Sequence, residues 1–316
     1  MATQSFEDLT LLPHISVLHI PIMCRMLTVI SRRGHLTPAD ITKIQTTMTV
    51  WGDTNDDGTG VAWVDDTGHW HVEKSGKNAE RFFDEKSLAA RIGNAKVRAF
   101  AGHVRFATTG GATCGAGTEQ GAQPFCSCNE DFIFMHNGWF GEEMSGKLRA
   151  AITEEHPVRT EVDSELLMHR IEQEGFERAM TEMAVPGTKF NVLLMNRDGS
   201  VLAHGDNALI GGGVADADNR LVLLASDTVP FSYFYDNGIT EFPRLSNFAN
   251  YNVFIAPGGV VSVQPTVQHE VGPPPRRTEP SKSIHVTNPS FTRSFAKAGK
   301  KCPTCRQPLK KLPGYA

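Results

Sequence analysis

Short apolar runs joined through turn residues recur from residue 26 to residue 263, a pattern of strand, turn and strand that points to antiparallel sheet. Residues 61–64 and 70–72 flank Asp65-Asp66-Thr67-Gly68, and 190–195 and 201–204 flank Asn196-Arg197-Asp198-Gly199. Both pairs have the pattern of a hairpin, and 253–255 followed by 260–263 repeats it. Further strands are predicted at 26–30, 97–106, 131–136 and 221–225. Helical blocks lie between them. Thr37-Pro38-Ala39-Asp40 supplies an N-cap, a proline at the first helical position and an acid in the first turn. The face of that helix is Ile41, Ile44, Met48 and Trp51, whose spacing follows the helical repeat. Residues 80–92 and 142–151 read as helices, and Asp163 is placed to cap another whose buried side is Leu166, Leu167, the stem of Arg170 and Ile171. Blocks of helix alternating with antiparallel hairpins suit an α+β layered fold better than a doubly wound parallel sheet.

At 316 residues and 40% hydrophobic the chain can bury a substantial core. It has no run of about 18 apolar residues, the length that would read as a membrane span. Its opening residues lack the basic region of a secretory signal, so the expected location is the cytoplasm. In that setting the six cysteines read as thiols or metal ligands rather than a disulfide framework. The net charge of -4 hides an asymmetry. Residues 273–316 open with Pro273-Pro274-Pro275 and hold ten Lys and Arg against Glu279 alone, so this segment is near +9 and the body near -13. The expected organisation is a leader at 1–23, a catalytic domain at 24–272 and a mobile basic tail at 273–316.

Three separated stretches carry chemistry. Arg105 ends an apolar run within Gly102-His103-Val104-Arg105-Phe106-Ala107-Thr108-Thr109-Gly110, where a guanidinium emerging from a strand end can fork onto a carboxylate. Asn137-Gly138 follows a strand and sets a side-chain amide beside an unhindered backbone N–H, although the same dipeptide also makes plain hairpin turns. Cys24 follows Met23 far upstream. A thiol with a pKa of about 8.5 needs a base at neutral pH, and an α-amine of about 7.7–8.0 on the same residue is matched to that task. The acidic turn Asp56-Asp57-Gly58 lacks the alternating oxygen ligands and closing glutamate of a calcium loop.

Met23-Cys24-Arg25, the Arg105 stretch, Gln123-Pro124-Phe125, His136-Asn137-Gly138 and Val162-Asp163-Ser164-Glu165, in this order, resemble the class II glutamine amidotransferases, which belong to the N-terminal nucleophile hydrolases. The resemblance covers about residues 24–260. It implies a four-layer αββα sandwich of two antiparallel sheets between helices, and hydrolysis of the glutamine side-chain amide to glutamate and ammonia with no cofactor. It implies Cys24 as nucleophile, Asn137 and Gly138 as the oxyanion hole, Arg105 on the α-carboxylate of glutamine and Asp163 on its α-ammonium. His103 and His136 read as packed histidines outside the catalytic set, because the α-amine already serves as base.

The chain departs from the family pattern in two places. Cys24 is not residue one, which implies either translation from Met23 or removal of residues 1–23. Gln123 stands where the family usually has histidine. With about fifty residues beyond the match, the expected form is a stand-alone subunit that passes ammonia to a separate synthase. The alternatives are direct hydrolysis of a γ-glutamyl or other amide compound, and a catalytically dead ligand-binding or scaffold protein. In the tail, Cys302-Pro303-Thr304-Cys305 offers two thiolates toward a structural zinc, with Cys126 and Cys128 as one source of the missing ligands. The tail's charge suits the acidic body or a nucleic acid.

Overall fold

The computed structural model describes residues 24–107, 117–154, 156, 158–160, 162–183, 190–205, 210–214, 220–227, 229–234, 239–241, 251–255 and 261–265. The leader, the tail with Cys302 and Cys305, residues 108–110 and Cys114 lie outside them.

The elements in chain order are β1 (Arg25–Ser31), α1 (Pro38–Gly52), β2 (Thr59–Asp65), β3 (Trp70–Ser75), α2 (Ala79–Glu85), α3 (Leu88–Ile92), β4 (Val97–Val104), β5 (Phe125–Cys126), β6 (Phe132–Gly138), α4 (Glu142–Ala151), α5 (Asp163–Glu174) and α6 (Phe176–Met183). They continue as β7 (Phe190–Asn196), β8 (Val201–Gly205), β9 (Ile210–Val214), β10 (Leu221–Ala225), α7 (Val229–Phe234), β11 (Ile239–Glu241), β12 (Tyr251–Ile255) and β13 (Val261–Pro265). The strands form two antiparallel sheets. The first runs β11-β9-β10-β1-β4-β2-β3 and the second β13-β12-β8-β7-β6-β5.

Period-two alternation sorts the side chains into layers. On β1, Leu27 and Val29 pack with Ile44, Met48 and Trp51 of α1 and with residues of α2 and α3, while Met26 and Ile30 point the other way. There they meet Met135, Leu193 and Met195 of the second sheet. The far face of that sheet, with Phe134, Phe190 and Val192, is covered by Leu166, Leu167 and Met180 of α5 and α6. The architecture is therefore the expected helix, sheet, sheet, helix sandwich. No helix among the described residues is long and apolar enough to cross a membrane.

The signals at α1 act as predicted: Thr37 Oγ1 accepts from Asp40 N, and Asp40 Oδ2 accepts from Thr37 N at 2.7 Å, closing a capping box. The expected helix at 80–92 is instead two. Lys86 is extended, and Ser87 starts α3 by accepting from Ala90 N. Nor is Asp163 the cap of α5. Val162 holds that position without a side-chain hydrogen bond, and Asp163 is the first helical residue, with its carboxylate turned to another loop. The strand expected at 97–106 ends at Val104.

Candidate active site

The register of the first sheet brings Cys24 to Arg105. β1 and β4 pair with Arg25 opposite Val104, so Cys24, one residue earlier, meets the chain where it leaves β4. Its Sγ donates to Phe106 O at 3.2 Å and accepts from Phe106 N at 3.4 Å, joining residues 82 apart in sequence. Two acidic-turn neighbours fix this exit. Asn55 Nδ2 donates to Val104 O at 3.3 Å, and Asp57 Oδ2 accepts from Ala107 N at 2.6 Å. The backbone of Asp57 donates to Arg105 O, while Arg105 N donates to Gly58 O. The turn that could be mistaken for a calcium loop thus anchors the backbone around Arg105. On the other flank of β1, Arg25 Nε lies 3.0 Å from Asp227 Oδ2 and Met26 N donates to Ser226 Oγ.

The second sheet contributes Asn137 at the same end of the sandwich. On β6, Phe134 and His136 face the helices, so Met135 and Asn137 face the other sheet. Asn137 Nδ2 reaches across to donate to Cys24 O at 2.6 Å. Gly138 follows with φ +156, and a Cβ there would stand 2.7 Å from both His136 Nε2 and Phe190 Cβ, so only glycine fits. Asp163 accepts from Phe140 N at 2.9 Å, which ties the first turn of α5 to the loop beyond Gly138.

Burial pushes the Cys24 thiol up; the hydrogen bond from Phe106 and the positive charge of Arg105 oppose this, and the negative charge of Asp163 adds to it. The thiol therefore favours its neutral form while Cys24 N remains bonded to Met23. His103 is fully buried, and burial together with the Arg105 charge pulls it down to about 3, so its ring is neutral. Burial lowers His136 as well. That ring stacks on Phe140 at 4.9 Å and its Nδ1 lies 3.0 Å from Ser164 Oγ. Both histidines are packed, as the sequence predicts.

Gln123, the departure from the family pattern, is 2% exposed and has a definite task. Its Oε1 accepts from His136 N at 2.7 Å, and its Nε2 donates to His136 O at 3.1 Å and to Ser164 Oγ at 3.2 Å. It completes the hydrogen bonding of β6 beyond the short strand β5, directly beside Asn137, and links that strand to α5. Cys126 and Cys128 do not share a site. Cys126 packs with Ala62 and Ile133 between the sheets, whereas Cys128 Sγ lies 3.9 Å from His169 Nδ1 on the helical side.

Among the described residues, then, Cys24, Arg105, Asn137, Gly138 and Asp163 converge at one end of the sandwich. Sequence reasoning missed Asn55, Asp57, Ser226 and Asp227, which position them. The usable signals were the acids crowded into the turn before β2, and Ser226-Asp227 directly after the apolar run of β10.

No sequence-family profile and no curated relative matches the chain. Its similarity is to solved structures. A glutamine phosphoribosylpyrophosphate amidotransferase from B. subtilis, complexed with ADP and GMP, superposes with a TM-score of 0.57 at 19% identity. The match takes in 78% of this chain and 50% of that one. A structure described as the allosteric regulatory enzyme of purine biosynthesis gives the same values. A glutamine aminotransferase class-II domain protein from Silicibacter pomeroyi matches at 16% identity and a TM-score of 0.49, over 77% of this chain and 99% of its own. The chain spans half the length of the first two proteins. With two antiparallel sheets between helical layers, the described residues share the fold of the amidotransferase that superposes at a TM-score of 0.57.

Proposed function

We propose that this chain is the glutaminase component of a class II amidotransferase, active once Cys24 is its first residue. The observation that carries the reading is the convergence just described: Asn137 donates to the Cys24 carbonyl at 2.6 Å, and the charges of Arg105 and Asp163 act on the thiol. Cys24 directly precedes β1, Arg105 directly follows β4, Asn137 lies in β6 and Asp163 opens α5.

In the proposed reaction the α-amine of Cys24 takes the thiol proton as Sγ adds to the amide carbon of glutamine. The carbonyl oxygen becomes an oxyanion held by Asn137 Nδ2 and Gly138 N–H, donors of a kind commonly worth about 2.7–4 kcal/mol each. The amine then returns the proton to the departing nitrogen, releasing ammonia and leaving a γ-glutamyl thioester. Water cleaves the thioester to glutamate and restores the thiol. Arg105 holds the substrate α-carboxylate and Asp163 its α-ammonium, so a free glutamyl head group is the recognised unit. The ammonia passes to a separate acceptor enzyme.

The test is release of glutamate and ammonia by a protein that begins at Cys24, supplied with glutamine and, separately, with γ-glutamyl amides. Turnover of glutamine that Cys24→Ala abolishes supports the reading. Turnover of a γ-glutamyl compound in preference to glutamine redirects it to direct hydrolysis, and no turnover of either by the folded protein rejects it.

A further inference from the structure

A second polar cluster lies on the opposite face of the second sheet from Asn137, under α5. Cys128 comes from the turn between β5 and β6, His156 from the loop between α4 and α5, and His169 and Glu172 from successive turns of α5. One donor atom from each falls within 4.8 Å of every other. His169 Nδ1 is 2.8 Å from Glu172 Oε2 and 3.9 Å from Cys128 Sγ, and His156 Nδ1 is 3.2 Å from the same Glu172 oxygen. His156 Nδ1 is buried and makes no hydrogen bond of acceptable geometry.

We propose that Cys128, His156, His169 and Glu172 form a structural zinc site. A tetrahedral zinc with bonds of about 2.0–2.3 Å sets its donors roughly 3.3–3.7 Å apart. The spacings here need only small rearrangements of side chains to meet that. The donor set, one thiolate, two imidazoles and one carboxylate, is borderline-soft and suits zinc over magnesium or calcium, which take oxygen ligands. Four protein ligands close the coordination sphere, so the ion is structural rather than catalytic. The surroundings are also those of a metal centre. His169 Nε2 makes no hydrogen bond and lies 3.8 Å from Glu165 Oε1, both side chains being 1% exposed, so a small approach of the carboxylate would let it orient a ligating histidine. Glu165 is fixed in turn by Thr160 N and Oγ1 at 2.7 Å, and the other Glu172 oxygen accepts from Cys128 N. Binding requires the Cys128 thiol and His169 Nδ1 to lose their protons to solvent. The ion would pin the β5–β6 turn and the α4–α5 loop to the helix that carries Asp163.

The competing arrangement on the same atoms is metal-free, with a protonated His169 held between Glu165 and Glu172. Metal content of the untagged full-length protein, with cobalt replacement, separates the two. The expected result is about one zinc per chain, retained in a Cys302→Ser/Cys305→Ser double variant and lost in Cys128→Ala and in His156→Ala. Cobalt in the intact chain should show a thiolate charge-transfer band that Cys128→Ser removes. Should Cys128→Ala fail to fold by circular dichroism, His156→Ala and the cobalt spectrum of the intact chain still decide. An intact chain that takes up neither zinc nor cobalt overturns the proposal. So does zinc that leaves with the tail cysteines and stays in His156→Ala.

Discussion

Cys24 and Cys128 are two thiols placed on opposite faces of the second sheet, and their immediate side-chain neighbours alone would suggest the reverse of the roles proposed for them. Cys128 has an imidazole at 3.9 Å and a carboxylate beyond it, the composition of an activated nucleophile. Yet it is 5% exposed and His169 1%, so no substrate can reach it. Cys24 is half-buried at the end of a strand, and among the described residues its thiol bonds the backbone of Phe106. What it has instead is a donor amide and two opposite charges around it, and in the proposed mechanism its own backbone nitrogen is the base. Access and the surrounding donors, more than the presence of histidine, separate a nucleophile from a ligand.

The largest expected effect breaks or upholds this contrast directly. A protein that starts at Cys24 should hydrolyse glutamine about 10²–10⁴-fold faster than one in which Met23 still blocks the amine, the usual range for a positioned general base. The same free amine should make Cys24 the first thiol alkylated by iodoacetamide, ahead of Cys128, as read by peptide mass mapping. Equal activity in the blocked protein, or alkylation of Cys128 first, would remove the distinction between the two thiols.

Asn137→Ala comes next. The oxyanion exists mainly in the transition state, so kcat should fall about 10²–10³-fold with little change in KM. Arg105→Ala should act chiefly by raising KM for glutamine, because a carboxylate clamp binds ground and transition states alike. Steady-state kinetics in which Asn137→Ala moves only KM would show that the amide serves Cys24 O structurally and no more.

Much of this site was legible before the fold was known, because short motifs carry their chemistry in adjacent residues: His136-Asn137-Gly138 is read in one glance. The layered architecture followed from hairpin patterns, and the apolar face of α1 from its spacing. What was not legible was anything set by pairing across long separations. That Cys24 meets the exit of β4 depends on the β1–β4 register, and that Asp57 holds Ala107 depends on β2 lying beside β4. The cluster around Cys128 was missed for the same reason, since only His169 and Glu172 share a helix. β9 was missed because Ile210-Gly211-Gly212-Gly213-Val214 has little intrinsic strand preference and is held by pairing with β10 and β11. Residues 80–92 look like one helix because the break at Lys86 is visible only in the backbone.

Gln123 sharpens the contrast at intermediate strength. It lies in the segment running from the Asn137 strand end to the Cys128 turn, and its side chain satisfies both backbone groups of His136. Gln123→Ala leaves a buried donor and acceptor unpaired, which should cost about 2–3 kcal/mol in urea denaturation. It should also lower kcat by displacing Asn137. If the two faces of the sheet are independent, alkylation of Cys128 in the native protein stays as slow as before. A rise in Cys128 labelling would mean that the segment binds both clusters into one unit.

The smallest effect on activity concerns pH and distinguishes a packed histidine from a working one. His103 lies fully buried beside Arg105, His136 and Asn137, and its folded-state pKa of about 3 is far below the ordinary 6.5. A base whose folded pKa is depressed contributes stability that is present above the unfolded value and lost as pH falls toward the folded one. Stability should therefore decline from about pH 6.5 downward, with this one residue contributing a slope of about 1.4 kcal/mol per pH unit once the unfolded chain is fully protonated there. His103→Gln removes the proton uptake, so the difference in stability between wild type and variant should narrow as pH falls from 6.5 to 4.5, whatever its size at neutral pH. Denaturation midpoints at several pH values give that difference, and glutaminase assays over the same range add a second reading. If His103 is only packed, the variant alters stability without moving the pH profile of kcat/KM. A shift in that profile would make His103 part of the proton path and would require a second base beside the amine of Cys24.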